Sequence, residues 1–186
     1  YLNLAKFLNP NFTNFDILIA ENFYVNNKLM HAKKTYEKIK LNGRIYDWFS
    51  SKKIASIIIL QKKNEKAIKS LTKNFENIEK PTVYEIYDFA DFLKNNKKFK
   101  ESIKFYSKIL ENITSEHELY PKATDGRGIA FERINQWDKA EVDFLNSLKA
   151  EPNQAYVINY LAYTWIEKGI KIKKALTMLE RANNLK

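Results

Sequence analysis

Gly128-Ile129-Ala130-Phe131-Glu132-Arg133 runs through Trp137-Asp138-Lys139-Ala140-Glu141 to Pro152. In that stretch Gly128, Ala140 and Pro152 stand twelve residues apart. Pairs of small residues at the same spacing recur along the chain: Ala20 with Ala32, Ala55 with Ala67, and Ala90 with Ser102. Ala162 and Ala175 stand thirteen apart, with one residue inserted between Gly169 and Lys174. The spacing has a steric cause. Where two antiparallel helices cross, small side chains let the axes approach, and anything larger than alanine holds them apart. Large residues accompany the small ones in register. Phe23, Ile58, Leu93, Phe131 and Trp165 follow the first small residue by three; Tyr36, Leu71, Tyr106, Phe144 and Leu179 follow the second by four. Offsets of three and four put them on the same helix face. The expectation is an all-α chain of about ten full helices after a partial first one.

This pattern resembles the tetratricopeptide repeat family, whose unit is a helix–turn–helix of about 34 residues. The resemblance implies a right-handed α-solenoid with units at 13–47, 48–82, 83–120, 121–154 and 155–186. Leu2, Ala5 and Pro10 match the second helix of a preceding unit over 1–12, so the chain reads as one solenoid and a piece of a longer protein. The unit at 83–120 is about four residues too long, with the excess placed near Thr114 to Leu119, and several units lack the terminal proline. The stretch from Tyr156 to Gly169 is similar to multi-repeat members from alphaproteobacteria, many of which carry an export signal. That similarity implies a bacterial source and an envelope location.

Composition narrows the chemistry. The 186 residues include no cysteine, which removes disulfides, thiolate metal sites and cysteine nucleophiles. Four glycines and four prolines are few for an all-β chain with many turns. The longest apolar run, Ile57-Ile58-Ile59-Leu60, is far short of the roughly 20 residues a transmembrane helix needs. The net charge of +10 is uneven: residues 1–80 carry 15 basic and 7 acidic side chains, residues 81–186 carry 17 and 15. A basic half can attract nucleic acid or an anionic surface. Lys33, Lys34, Lys52, Lys53, Lys62, Lys63, Lys66 and Lys69 are the candidates. They also fit a lysine-rich composition, and no base-reading motif accompanies them.

Catalytic and metal sites find little support. His31 and His117 fall in different units without neighbours at ligand spacing. Asp125-Gly126-Arg127-Gly128 lacks the lysine and the preceding strand of a phosphate loop, and Gly128 is a helix-packing position. Asp88 and Asp91, three apart on a helix, form a carboxylate pair but have no substrate motif beside them. Trp137 and Trp165 read as core, and Trp48 as the residue that opens its unit. No catalytic residue, cofactor or metal ligand is expected.

The informative positions are those that line the inner face of such a solenoid, contributed by the first helix of each unit. They lie six, three and two before the first small residue and one after it. In the last three units they include Tyr84, Tyr87, Asp88, Asp91, Lys122, Asp125, Tyr156, Asn159, Tyr160 and Tyr163. Tyrosine combines a broad apolar ring with a polar tip, which suits an extended peptide or an inserted helix. The expected partner is therefore a protein or peptide, with nucleic acid disfavoured and self-association through exposed repeat ends allowed. Family members that grip a chaperone's C-terminal carboxylate use lysine, asparagine and arginine at these positions. Here the windows hold Ile17 and Glu21, then Lys53, then Tyr84 and Asp88, so that clamp is not expected. A competing expectation is that the chain is the non-catalytic arm of a larger enzyme.

Overall fold

The computed structural model describes residues 1–9 and 12–185. Among them lie eleven α-helices and no strand. The chain divides into two compact units, Tyr1–Lys80 and Pro81–Lys186. The first holds α1 (Leu2–Leu8), α2 (Thr13–Val25), α3 (Leu29–Ile39), α4 (Arg44–Leu60) and α5 (Asn64–Glu76), with a short 3-10 turn at Lys40–Asn42. The second holds α6 (Val83–Asn95), α7 (Phe99–Leu110), α8 (Tyr120–Arg133), α9 (Trp137–Ala150), α10 (Ala155–Glu167) and α11 (Ile172–Asn184). Pro10 lies outside the described residues, as do the side chains of Leu2 and Ala5.

The helices pack in successive hairpins: α2 with α3, α4 with α5, α6 with α7, α8 with α9, and α10 with α11. Every small residue picked out by the twelve-residue spacing is buried, from Ala20 and Ala32 to Ala162 and Ala175. The crossing of α8 on α9 is close-packed at Gly128. A Cβ added to Gly128 would stand 2.9 Å from the Phe144 ring and 3.3 Å from the Ala140 carbonyl oxygen. The large partners fill the space around these crossings. Tyr36, Leu71, Tyr106, Phe144 and Trp165 are fully buried. In the second unit Ala140, Phe144, Val157, Leu161, Ala162, Trp165 and Ala175 form one contiguous cluster spanning α9, α10 and α11.

One turn is used in all five hairpins. After each first helix a residue adopts positive φ: Asn27 at 57°, Lys62 at 60°, Lys97 at 62°, Asn135 at 61° and Gly169 at 66°. The amide that follows donates back to the large residue three after the small one. Lys28 N–H donates to Phe23 C=O, Lys63 to Ile58, Lys98 to Leu93, Gln136 to Phe131 and Ile170 to Trp165, at 2.8–3.2 Å. These are Schellman closures, which satisfy the carbonyls left open at a helix C-terminus. The extra residue of the last hairpin sits here, where Lys171 also takes positive φ, at 49°.

Two helix starts have distinct local features. Helix α4 begins at Arg44, so Trp48 lies one turn inside it and packs on Phe75 with ring centroids 5.7 Å apart. Helix α6 carries a capping box: Thr82 Oγ1 accepts from Glu85 N–H, and Glu85 accepts from Thr82 N–H at 2.8 Å. The long connection between α7 and α8 folds back on α6, where Tyr84 O–H donates to Glu118 at 2.7 Å.

Candidate partner-binding site

The ten positions named from the sequence all lie in the second unit, on or at the start of α6, α8 and α10. The tyrosines separate into two kinds. Tyr84, Tyr156 and Tyr163 are 50%, 59% and 59% exposed. Tyr156 and Tyr163 are two helical turns apart and share a face of α10. Tyr87 and Tyr160 are half-buried and already engaged with the fold. The Tyr87 ring meets Tyr106 edge-on at 6.1 Å. The Tyr160 ring packs 5.3 Å from Phe144 and 6.0 Å from Tyr156, and its hydroxyl donates to Glu132 at 3.0 Å.

The carboxylates differ as sharply. Asp91 accepts from Lys94 Nζ at 2.7 Å, Asn95 Nδ2 at 2.8 Å and the Tyr106 hydroxyl at 3.3 Å. Asp88 is half-buried one turn earlier on α6. Asp125 has a buried Oδ1 that receives no hydrogen bond from the described residues. Burial pushes the Asp125 carboxyl up to about 6; Lys94 opposes that rise and Asp91 adds to it. The tyrosines register the same charges. Burial, then Asp91, Asp125 and Asp88, push the Tyr87 phenol up to about 12. Tyr156 is raised by burial and by Asp125, and Tyr160 by burial and its bond to Glu132. Asp125 on α8 thus lies within electrostatic reach of Tyr87 on α6 and of Tyr156 on α10. Lys122, in the first turn of α8, is exposed, and Asn159 is half-buried.

Neighbouring polar groups explain what cannot take part. Arg127 binds Asp143 through two nitrogens at 2.7 and 2.8 Å and donates to Ser107 at 3.0 Å. Those bonds tie the Asp125-Gly126-Arg127-Gly128 segment of α8 to α9 and α7. His117 Nδ1 accepts from Leu119 N–H, and the His31 ring lies 5.3 Å from Phe23. No group of three or more histidine or acidic side chains among the described residues is placed to hold a metal. No helix among the described residues is long and apolar enough to cross a membrane.

The first unit holds the lysines of the basic half. Lys53 is not a free surface charge: it pairs with Glu21 at 2.7 Å and lies over the Tyr24 and Phe49 rings at 5.8 and 5.6 Å. Lys33 pairs with Glu37 at 3.6 Å. Lys62, Lys63, Lys66 and Lys69 are exposed at the α4–α5 turn and along α5, and Lys34 on α3.

No family model and no curated protein sequence matches the chain. Solved structures do match its fold. A MamA double mutant superposes with a TM-score of 0.70 at 12% identity, covering 93% of both chains. MamA from Desulfovibrio magneticus RS-1 gives 0.69 at 11% identity, over 93% of this chain and 94% of that one. YrrB, described as a TPR protein with an unusual peptide-binding site, gives 0.59 at 16% identity, over 100% of this chain and 92% of that one. The chain has the tetratricopeptide-repeat fold.

Proposed function

We propose that the chain is a non-enzymatic interaction scaffold, and that the face of α6, α8 and α10 holds a peptide or helix of a partner protein. The observation that carries this is the exposure of Tyr156 and Tyr163 on one face of α10, beside the half-buried Tyr160. Large aromatic rings grouped on a surface mark contact sites, because each offers rigid apolar area with a polar tip. Tyr84 extends the row onto α6, and Asp88, Asp91, Lys122, Asp125 and Asn159 supply polar groups between the rings. The peptide-binding description of YrrB, which shares this fold, is consistent with the same use.

The basic surface of the first unit has weaker support as a nucleic-acid site, because Lys53 and Lys33 neutralise carboxylates of their own unit. The test is partner capture from a lysate of the source organism. Tyr156→Ala with Tyr163→Ala should reduce capture at least tenfold at unchanged helical content. Lys104→Ala with Lys149→Ala, exposed positions on α7 and α9, should leave it unchanged. The opposite pattern would move the binding surface elsewhere.

A further inference from the structure

The two units treat one repeat position differently. In the first unit Glu21, the residue after Ala20, accepts from the buried Tyr36 hydroxyl at 2.6 Å. A cation from the next first helix completes the arrangement: Lys53, two residues before Ala55, reaches Glu21 at 2.7 Å across two aromatic rings. The second unit repeats the beginning of this motif. Asp91, the residue after Ala90, accepts from the buried Tyr106 hydroxyl. The position equivalent to Lys53 is Gly126, two before Gly128. It has no side chain, and a Cβ there would stand 2.5 Å from the Tyr106 ring.

Lys94, from α6 itself, substitutes on Asp91. The exchange leaves a second carboxylate unserved. Asp125, next to Gly126, has an oxygen that no described residue donates to. That oxygen is buried, while the residue as a whole keeps part of its surface open. The half-buried Tyr87 on α6 and the exposed Tyr156 on α10 both lie within electrostatic reach of it. Of the three cations of α8, Arg127 is bound to Asp143, whereas Lys122 and Arg133 are exposed, and Arg133 lies 3.5 Å from Glu132.

We propose that this face receives a lysine or arginine side chain of the partner segment, seated between Tyr87 and Tyr156 and donating to Asp125. The assignment depends on the docking role proposed above and names the chemistry of its occupant. An ammonium or guanidinium supplies the donor Asp125 lacks, a positive charge beside that carboxylate, and a contact with ring faces. Lys53 in the first unit shows the same three interactions made within the chain. An acidic or phosphorylated segment would bring like charge to Asp125.

The test uses random short peptides displayed on phage and selected on the whole chain. Selected sequences are synthesised and their affinities measured by fluorescence anisotropy. The variants are Asp125→Asn, which keeps side-chain shape, and Tyr156→Ala with Tyr163→Ala. Peptides that depend on the tyrosines should share a lysine or arginine. Replacing that residue by glutamine in the peptide, which leaves the protein untouched, should weaken binding about tenfold. Asp125→Asn should weaken it by a similar factor, and the two changes together should cost little more than either alone, as a coupled pair requires. Tyrosine-dependent peptides with no shared cation, or equal affinity for Asp125→Asn, would overturn the cation site and leave the docking face standing. Selected peptides indifferent to the tyrosines would overturn both.

Discussion

Asp125→Asn should stabilise the protein at neutral pH, although it touches no apolar packing. The Asp125 carboxyl sits at about 6 in the folded chain against an ordinary 3.8, with burial the main cause. At 1.36 kcal/mol per pH unit, that gap corresponds to about 3 kcal/mol. The sign follows from proton uptake. A carboxyl raised on folding holds its proton more tightly in the native state, so its contribution is fully present below pH 4. It is lost as pH rises from about 4 through 6, when the buried group ionises. Asp91, Lys94 and Tyr87 on α6, Tyr106 on α7 and Tyr156 on α10 lie within electrostatic reach of it, and among them Lys94 alone favours the charge. Asparagine removes the ionisation but adds an NH2 group that needs an acceptor, so the net gain at about pH 7.5 should be about 1–2 kcal/mol. Near pH 4 that gain is absent, and the NH2 group alone should leave the variant about 1–2 kcal/mol less stable than the parent. Urea denaturation followed by circular dichroism at both pH values measures it, with a matching rise in Tm of a few degrees. A variant no more stable than the parent at pH 7.5 would refute the idea that this carboxylate is ionised without a donor.

Three further outcomes follow from the packing. Gly128→Ala should destabilise by about 1–3 kcal/mol, because its methyl must displace the Phe144 ring, and Ala140→Trp at the same crossing should cost more; unchanged thermal unfolding would refute the crossing. Arg127→Met should cost about 3–5 kcal/mol in denaturant unfolding, since it strands the buried Asp143, whereas replacing both members by apolar residues should recover most of that loss. Lys97→Gly should stabilise by about 0.5–1 kcal/mol, because φ of 62° strains a side chain with a Cβ; a loss of stability would show that the lysine itself contributes there.

Much of the fold was legible because a helix crossing imposes a steric rule on sequence. Ala20, Ala55, Ala90 and Ala162 and their partners had to be small, and all are buried. The turns were less legible. Gly169, Asn27 and Asn135 are residue types that take positive φ readily; Lys62 and Lys97 adopt it because the amide after each must reach Ile58 or Leu93, a demand of geometry rather than of residue type. The site was legible as positions but not as roles. Tyr87 and Tyr163 look alike in sequence, yet one packs on Tyr106 and the other faces solvent, which depends on what α7 and α11 offer behind them. Asp125 was one polar position among several. Its buried oxygen without a donor becomes visible only in the packed fold, beside Gly126, which stands where the first unit has Lys53. Comparing equivalent repeat positions would have exposed that contrast before any coordinates.

The five Schellman closures also bear on how fast the molecule assembles. Each joins residues five apart, and each hairpin it closes brings together side chains only twelve or thirteen positions distant. Chains whose contacts are this local have little loop entropy to overcome before the first favourable contact forms. The rate-limiting event should therefore be the docking of one preformed hairpin on its neighbour, within milliseconds or less. Nucleation can begin at any hairpin, so a substitution in one closure should slow local assembly without blocking another starting point. A lesion such as Gly128→Ala would then redirect the order of assembly towards α10 and α11 while the end state keeps its topology.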